Sequence, residues 1–246
     1  MYTDLAWESG IADRQRLNLV SWGATSGDFN NDGNIDLFIA NGDFKPDLDS
    51  PYVTQSQHNL LLLGLGNGEF VADTTSLPAS YPLSSRSAIT ADLNNDGVLE
   101  IIVTNNNDPL QIFENKNEHK QHWVGFDLFG NNAYSDASGA EIVIKYGDHR
   151  VYRTARTRPG FLASGDNRLH IGLGSHTGPI DVTVEWPDGS ESSFSGVEAN
   201  RYYAVGKSDN SMVPAPSPVT VSESFQLSLA GYNDVDRVNL GELLLT

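Results

Sequence analysis

Asp28-Phe29-Asn30-Asn31-Asp32-Gly33-Asn34-Ile35-Asp36 decides the fold, and it returns 64 positions later as Asp92-Leu93-Asn94-Asn95-Asp96-Gly97-Val98-Leu99-Glu100. Oxygen-bearing side chains stand at alternate positions, and a glycine is sixth. Alternation lets the side chains at positions 1, 3 and 5 converge, while the glycine permits a sharp turn. The position 7 carbonyl can turn inward whatever its side chain, so Asn34 and Val98 serve equally there. Asp36 and Glu100 close the loops at position 9. Ca²⁺ takes about six to eight oxygen ligands. The loops therefore read as two Ca²⁺ sites, with Asp28, Asn30, Asp32, Asn34 and Asp36 in the first and Asp92, Asn94, Asp96, Val98 and Glu100 in the second. An EF-hand is excluded by spacing, because its closing bidentate Glu would fall on Ile39 or Val103. Mg²⁺ is less apt, since it keeps more waters and fewer protein ligands.

The flanks of the loops are strands. Residues 35–40 leave the first loop with apolar side chains on both faces, as in a strand covered on both sides. Residues 59–63 form another short apolar run. Gly64-Leu65-Gly66-Asn67-Gly68-Glu69-Phe70 then reads as a hairpin turn centred on Asn-Gly. Residues 87–91, 101–104 and 109–113 repeat the pattern around the second loop. Short strands at a fixed period are the signature of propellers and repeat arrays. The spacing and context of the two loops resemble the FG-GAP/VCBS repeat family, whose propeller blades carry such a calcium loop between strands. Glu100 departs from the Asp of that family, and its extra methylene alters the reach at the second site. Propellers have about four to eight blades, but residues 1–115 supply about two. Two blades alone leave exposed faces and sheet edges. The chain is therefore expected to lack blades, supplied by a longer chain or by self-association. Residues 1–7 are expected to form an opening strand.

Residues 114–121 are polar, and the repeat stops there. Beyond them, Val124, Phe126 and Leu128 alternate onto one face, as do Val182, Val184 and Trp186. Gly147-Asp148 and Pro187-Asp188-Gly189-Ser190 are turn signals between strands. Six to eight short strands without helices predict a β-sandwich or small barrel over residues 120–206. His122-Trp123-Val124, Gly130-Asn131-Asn132, Ser138-Gly139-Ala140, His170-Ile171-Gly172-Leu173-Gly174 and Trp186-Pro187-Asp188-Gly189 together resemble the ASPIC/UnbV domain. That domain follows FG-GAP/VCBS repeats in the cartilage acidic protein-like family, and the order here is the same. The whole is thus an all-β chain, a partial β-propeller followed by a β-sandwich-like domain. Residues 207–220 read as a Pro/Ser linker and 221–246 as a C-terminal tail.

Composition narrows the function. The 246 residues contain no cysteine, which excludes disulfides, thiolate metal sites and cysteine nucleophiles. The net charge of −17 repels phosphate backbones, so nucleic acid is not an expected partner. Six of the 32 acidic residues lie in the two loops, and two Ca²⁺ would bring the charge to about −13. No apolar run reaches the ~20 residues of a membrane span. The opening MYTDLAWESG lacks the basic and apolar regions of a signal peptide. No G-x-S-x-G elbow or phosphate-binding loop is present.

His119 and His122 lack a third zinc ligand and read as surface residues, whereas His170 reads as a packed or backbone-bonded side chain. Arg150, Arg153, Arg156 and Arg158 concentrate positive charge in an acidic chain. They suit the wet face of a strand, or an anion or acidic-glycan contact with Tyr152 and Phe161 nearby. The family resemblance implies a secreted, calcium-stapled binding or adhesion protein whose ligand is a protein or glycan outside the cell. The alternative it leaves open is an enzyme or enzyme-associated module.

Overall fold

The computed structural model describes residues 2–13, 16, 18–43, 56–77, 82–116, 121–131, 137–156 and 160–215. His119, Arg158 and the 221–246 tail lie outside them.

Each acidic loop joins two antiparallel strands. β1 (Ser21–Gly27) enters the first loop and β2 (Asp36–Asn41) leaves it, with Gly27 paired to Asp36 at the loop's base. β3 (Leu60–Gly64) and β4 (Phe70–Asp73) complete a four-stranded meander, and the Asn-Gly hairpin turns between them as the sequence predicts. β5 (Ser85–Ala91), β6 (Glu100–Asn105) and β7 (Gln111–Phe113) repeat the path as a three-stranded sheet. The copies agree in detail. The ladder slips between Ser21 and Gly23 in one and between Ser85 and Ser87 in the other. Ser21 bonds Asn41 Oδ1 at 2.8 Å, and Ser85 bonds Asn105 Oδ1 at 2.8 Å. β1 packs along β5, where the Thr25 and Thr90 hydroxyls lie 3.4 Å apart. Phe38 and Leu61 of the first sheet share one core with Ala88 and Val103 of the second. These are two blades of propeller type with a joint interior.

Residues 2–7 form no strand. Residues 6–10 make a turn closed by the Ser9 N–H on the Leu5 carbonyl at 2.8 Å, and Ser9 O then accepts the Phe70 N–H at 2.7 Å. Leu5 and Trp7 are both more than half exposed (53% and 54%), so their alternation with polar residues buries nothing.

The remaining strands build a two-layered unit. β8 (His122–Phe129), β9 (Glu141–Tyr146), β10 (His149–Thr154), β11 (Leu169–Gly174), β12 (Ile180–Glu185), β13 (Glu191–Val197), β14 (Tyr202–Gly206) and β15 (Ser211–Pro214) form two sheets, ordered β10-β9-β12-β13 and β11-β8-β14-β15. Val124, Phe126, Leu128, Val182, Val184 and Trp186 all lie in the core between them, as alternation predicts. β14 runs parallel to β8, and the other pairs are antiparallel. No sheet closes into a barrel. Among the described residues, no helix is long and apolar enough to cross a membrane.

The stretch expected to open the linker is ordered instead. After a turn at residues 207–210, β15 returns along β14, with Met212 opposite Val205 and packed on the core. Lys207 pairs with Asp188 on the neighbouring sheet. The Pro and Ser content hides this strand, but an edge strand tolerates Pro214 because its outer side needs no ladder partner. A chain ending at Lys207 should unfold at lower denaturant than one ending at Ala215. Loss of the Met212 contact and the β14 edge predicts a difference of roughly 2 kcal/mol in urea titration.

Candidate metal centres

The same hydrogen-bond set shapes both loops. In the first, Asp28 Oδ1 accepts the Asp32 N–H at 3.0 Å and Asp28 Oδ2 the Gly33 N–H at 2.8 Å. Asn30 Oδ1 also takes the Asp32 N–H at 3.0 Å, and Asp32 Oδ1 takes the Asn34 N–H at 2.7 Å. Asp36 Oδ2 closes the ring on the Phe29 N–H at 2.9 Å. In the second, Asp92 accepts from Asp96 and Gly97, Asn94 from Asp96, Asp96 from Val98, and Glu100 from Leu93, all within 2.8–3.2 Å. Short polar side chains that bond their own backbone a few residues on are what fold such a loop. Gly33 and Gly97, at φ 96° and 84°, take the left-handed turn at position 6.

Position 9 differs between the copies. Both Asp36 oxygens are engaged, the second by the Gly64 N–H of β3 at 2.8 Å. The longer Glu100 keeps the bond to Leu93 but leaves Oε1 buried without a donor.

The loops are withdrawn from solvent at their bases, although Asp96 is exposed. Asp28, Asp36, Asp92 and Glu100 are buried, and the following domain reaches Asp28 and Asp92. The Gly172 N–H of β11 donates to Asp28 Oδ2 at 3.1 Å, and the Tyr202 hydroxyl of β14 donates to Asp92 Oδ2 at 2.8 Å. Gly172 is required there, since a Cβ would collide with Asp28 Oδ2. Trp123, His170 and Tyr202 form an aromatic wall against Gly97, with Trp123 stacked on His170 at 5.7 Å and tilted on Tyr202 at 4.8 Å. His170 Nε2 meets the Gly97 carbonyl at 3.0 Å, the backbone bond expected of it. Each loop also receives an arginine. Arg153 reaches the Gly33 carbonyl at 3.4 Å, and Arg168 bonds the Asp92 carbonyl at 2.7 Å, the Asn95 side chain and its own partner Asp166.

Burial sets the electrostatics. It pushes Asp28 up to about 7 against the Gly33 N–H bond, with Asp32 and Asp36 adding repulsion and Arg153 opposing it. Burial likewise takes Asp36 to about 6, and Glu100 to about 7 with repulsion from Asp96 and Asp92. Asp92 is raised by burial and partly relieved by the Tyr202 hydroxyl. Tyr202 is itself pushed far up by burial and by Asp92, which keeps it a donor.

The loops therefore gather hard oxygen donors whose negative charge is poorly solvated. That chemistry suits a divalent cation, and the unpartnered Glu100 Oε1 is a free buried acceptor for one. Among the described residues, no three His, Cys, Asp or Glu side chains form a ready-made ligand cluster.

Two features escaped the sequence reading. Asn31 and Asn95, the fourth loop residues, both adopt φ 59° and both reach outward. Asn31 Nδ2 bonds the Gly97 carbonyl of the other loop at 2.9 Å, while Asn95 meets Arg168. Asn at a left-handed position in both copies was the available signal. Asn115 also ties the loops, donating to Phe29 O at 2.8 Å and Leu99 O at 3.2 Å. The arginine group divides: Arg150 and Arg156 are exposed, whereas Arg153 is drawn in against the first loop. Phe161 stands apart from Tyr152, packing on Trp22 of β1 at 6.0 Å.

Tyr202→Phe removes a donor from a buried carboxylate and should cost about 1–3 kcal/mol in denaturant unfolding. His170 supplies a pH signature. Burial lowers it to about 4, aided by Arg153 and Arg168 and opposed by the Gly97 carbonyl. Between about pH 6.5 and 4 the unfolded chain binds a proton that the folded chain refuses. The stability from neutral His170 is thus fully present above pH 6.5 and lost as pH falls toward 4. The stability gap between wild type and His170→Gln should narrow from pH 7 to pH 5. An unchanged gap would mean that His170 titrates normally.

The FG-GAP-like repeat model matches residues 28–103, which span both loops, and the ASPIC and UnbV model matches residues 130–212, which run from the end of β8 into β15 of the two-layered unit. No curated protein matches the chain. The chain thus carries an FG-GAP-like repeat over residues 28–103 and an ASPIC/UnbV domain over residues 130–212.

Proposed function

We propose that the chain is a calcium-stapled binding module that works outside the cell, with a protein or glycan as its ligand and no catalytic role. The observation that carries this is the duplicated, buried carboxylate loop. Two copies repeat the same hydrogen bonds, and both keep position 1 and position 9 carboxylates out of water. Leaving such charge uncompensated is costly. A divalent cation held by Asp28, Asn30, Asp32 and Asp36, and by Asp92, Asn94, Asp96 and Glu100, offsets that cost in each blade. The carbonyls of Asn34 and Val98 complete the sets. Bound Ca²⁺ supplies fixed positive charge; the chain supplies the turn, the burial and the second-domain donors.

The loops are structural rather than reactive in this reading. The position 1 and position 9 carboxylates are engaged by backbone N–H groups and, for Asp28 and Asp92, by the domain above them, and the one oxygen of the four left without a donor, Glu100 Oε1, is buried. Calcium outside the cell is abundant enough to keep extracellular modules with dissociation constants near 10⁻⁴–10⁻³ M loaded.

Metal analysis and thermal melting with and without chelator test the proposal. Two Ca²⁺ per chain are expected, with a stabilisation of about 2.7 kcal/mol per site when free Ca²⁺ is 100-fold above its dissociation constant. Asp32→Ala and Asp96→Ala should each reduce the count to one ion and remove one site's share of the shift. A melt indifferent to chelator, on protein free of Ca²⁺, would sink the staple.

A further inference from the structure

Where the first blade meets the second domain there is a groove of about 1150 Å³. Its floor and walls come from the first acidic loop, the β9–β10 hairpin and the turn after β11. We infer that this groove binds an anionic saccharide, a sugar bearing carboxylate or sulfate, a ligand class that rests on the binding role proposed above.

Three observations support that ligand. The first is the aromatic furniture. Tyr146 is buried, and it fixes two imidazoles beside it, His149 stacked at 5.2 Å and His176 tilted at 5.0 Å. Tyr152 lies 54% exposed along the same groove. Flat rings of this kind present apolar faces with polar rims, which matches the alternating C–H and hydroxyl character of a pyranose.

The second is charge. In a chain of net −17, the groove lining sets Arg150 and Arg153 against two carboxylates, Asp32 and Asp148, so it is far less acidic than the chain as a whole. The Arg150 guanidinium sits over the Tyr152 ring at 4.9 Å, which orients its N–H donors without consuming them. A planar guanidinium is suited to bidentate contact with a carboxylate or sulfate.

The third is an unmet donor. Arg153 uses its terminal nitrogens on the Tyr152 and Gly33 carbonyls, but its buried Nε has no partner, and it forms no ion pair among the described residues. A cation drawn out of water that bonds only neutral carbonyls directly, with Asp28 near but not in contact, keeps attraction for an anion placed beside it. Asp148, Ser175 and Thr177 add hydrogen-bonding groups at the rim for sugar hydroxyls. A simple anion would need the arginines only; the rings and the breadth of the groove call for the sugar.

The full chain is titrated calorimetrically with a heparin-derived hexasaccharide, a galacturonate hexamer, cellohexaose and sodium sulfate. At least one charged oligosaccharide should bind at least about tenfold more tightly than cellohexaose and sulfate. Arg150→Ala and Tyr152→Ala should each weaken it by about tenfold or more, with melting temperatures unchanged because both side chains are exposed. No binding, equal binding of cellohexaose, equal affinity for sulfate alone, or full affinity in both variants overturns the inference. The titrations are run with Ca²⁺ and with chelator, alongside metal analysis. Sugar binding by a chain that takes up no Ca²⁺ overturns the staple and leaves the groove standing; Ca²⁺ uptake without sugar binding does the reverse.

Discussion

The structure depends on one arrangement: carboxylates buried at a seam between two domains, each receiving donors from both sides. Asp28 is held from within its own loop by the Gly33 N–H and from across the seam by the Gly172 N–H. Asp92 is held likewise by Gly97 and by the Tyr202 hydroxyl. A buried carboxylate without donors would cost several kcal/mol. The second domain therefore does not merely rest on the blades. It completes the solvation of the residues that shape them.

This seam also bears on how the two blades are covered. Two blades cannot close a ring, yet their loop ends are covered. Trp123, on the face of β8 turned away from the sandwich core, packs with Tyr202 and His170 against Gly97. On the other side, residues 160–163 reach β1, where Phe161 meets Trp22. Trp22 in turn lies under the Arg86 guanidinium at 4.6 Å, which links β1 to β5. The ASPIC/UnbV unit thus packs on the loop ends of both blades and on Trp22 of β1.

The repeat, the turns and the inward faces were all legible in the sequence, because each is written in local residue chemistry. Asp-x-Asn-x-Asp-Gly sets the loop by bonding its own backbone, Asn67-Gly68 sets the hairpin, and Val124, Phe126 and Leu128 select the core by period two. What was not legible is what two distant segments make together. Nothing near Gly172 announces that its amide meets Asp28, 144 positions away. Nothing near Trp123 says that the back of its strand is also buried. β15 was hidden for a related reason: its Pro and Ser content is that of a linker, and only the free edge of β14 makes it a strand. Residues 2–7 show the converse, an alternation whose apolar side chains meet no core.

The two loops are alike in backbone but unlike in what they ask of their neighbours. In the first, Asp36 is satisfied twice over by N–H groups of its own sheet, and the arginine set against the loop has an unmet donor and no ion pair. In the second, Glu100 is left with a free buried oxygen, while Arg168 is fully engaged with Asp166, Asn95 and the Asp92 carbonyl. The surplus is therefore a donor at the first site and an acceptor at the second. A cation answers the second site's deficiency directly. At the first, a cation on Asp28 would leave Arg153 freer of that carboxylate, and so more available to an anion in the groove beside it. If both loops are metal-bound, their division of labour follows: the second fastens the domains, and the first joins that fastening to the surface where a ligand would be held.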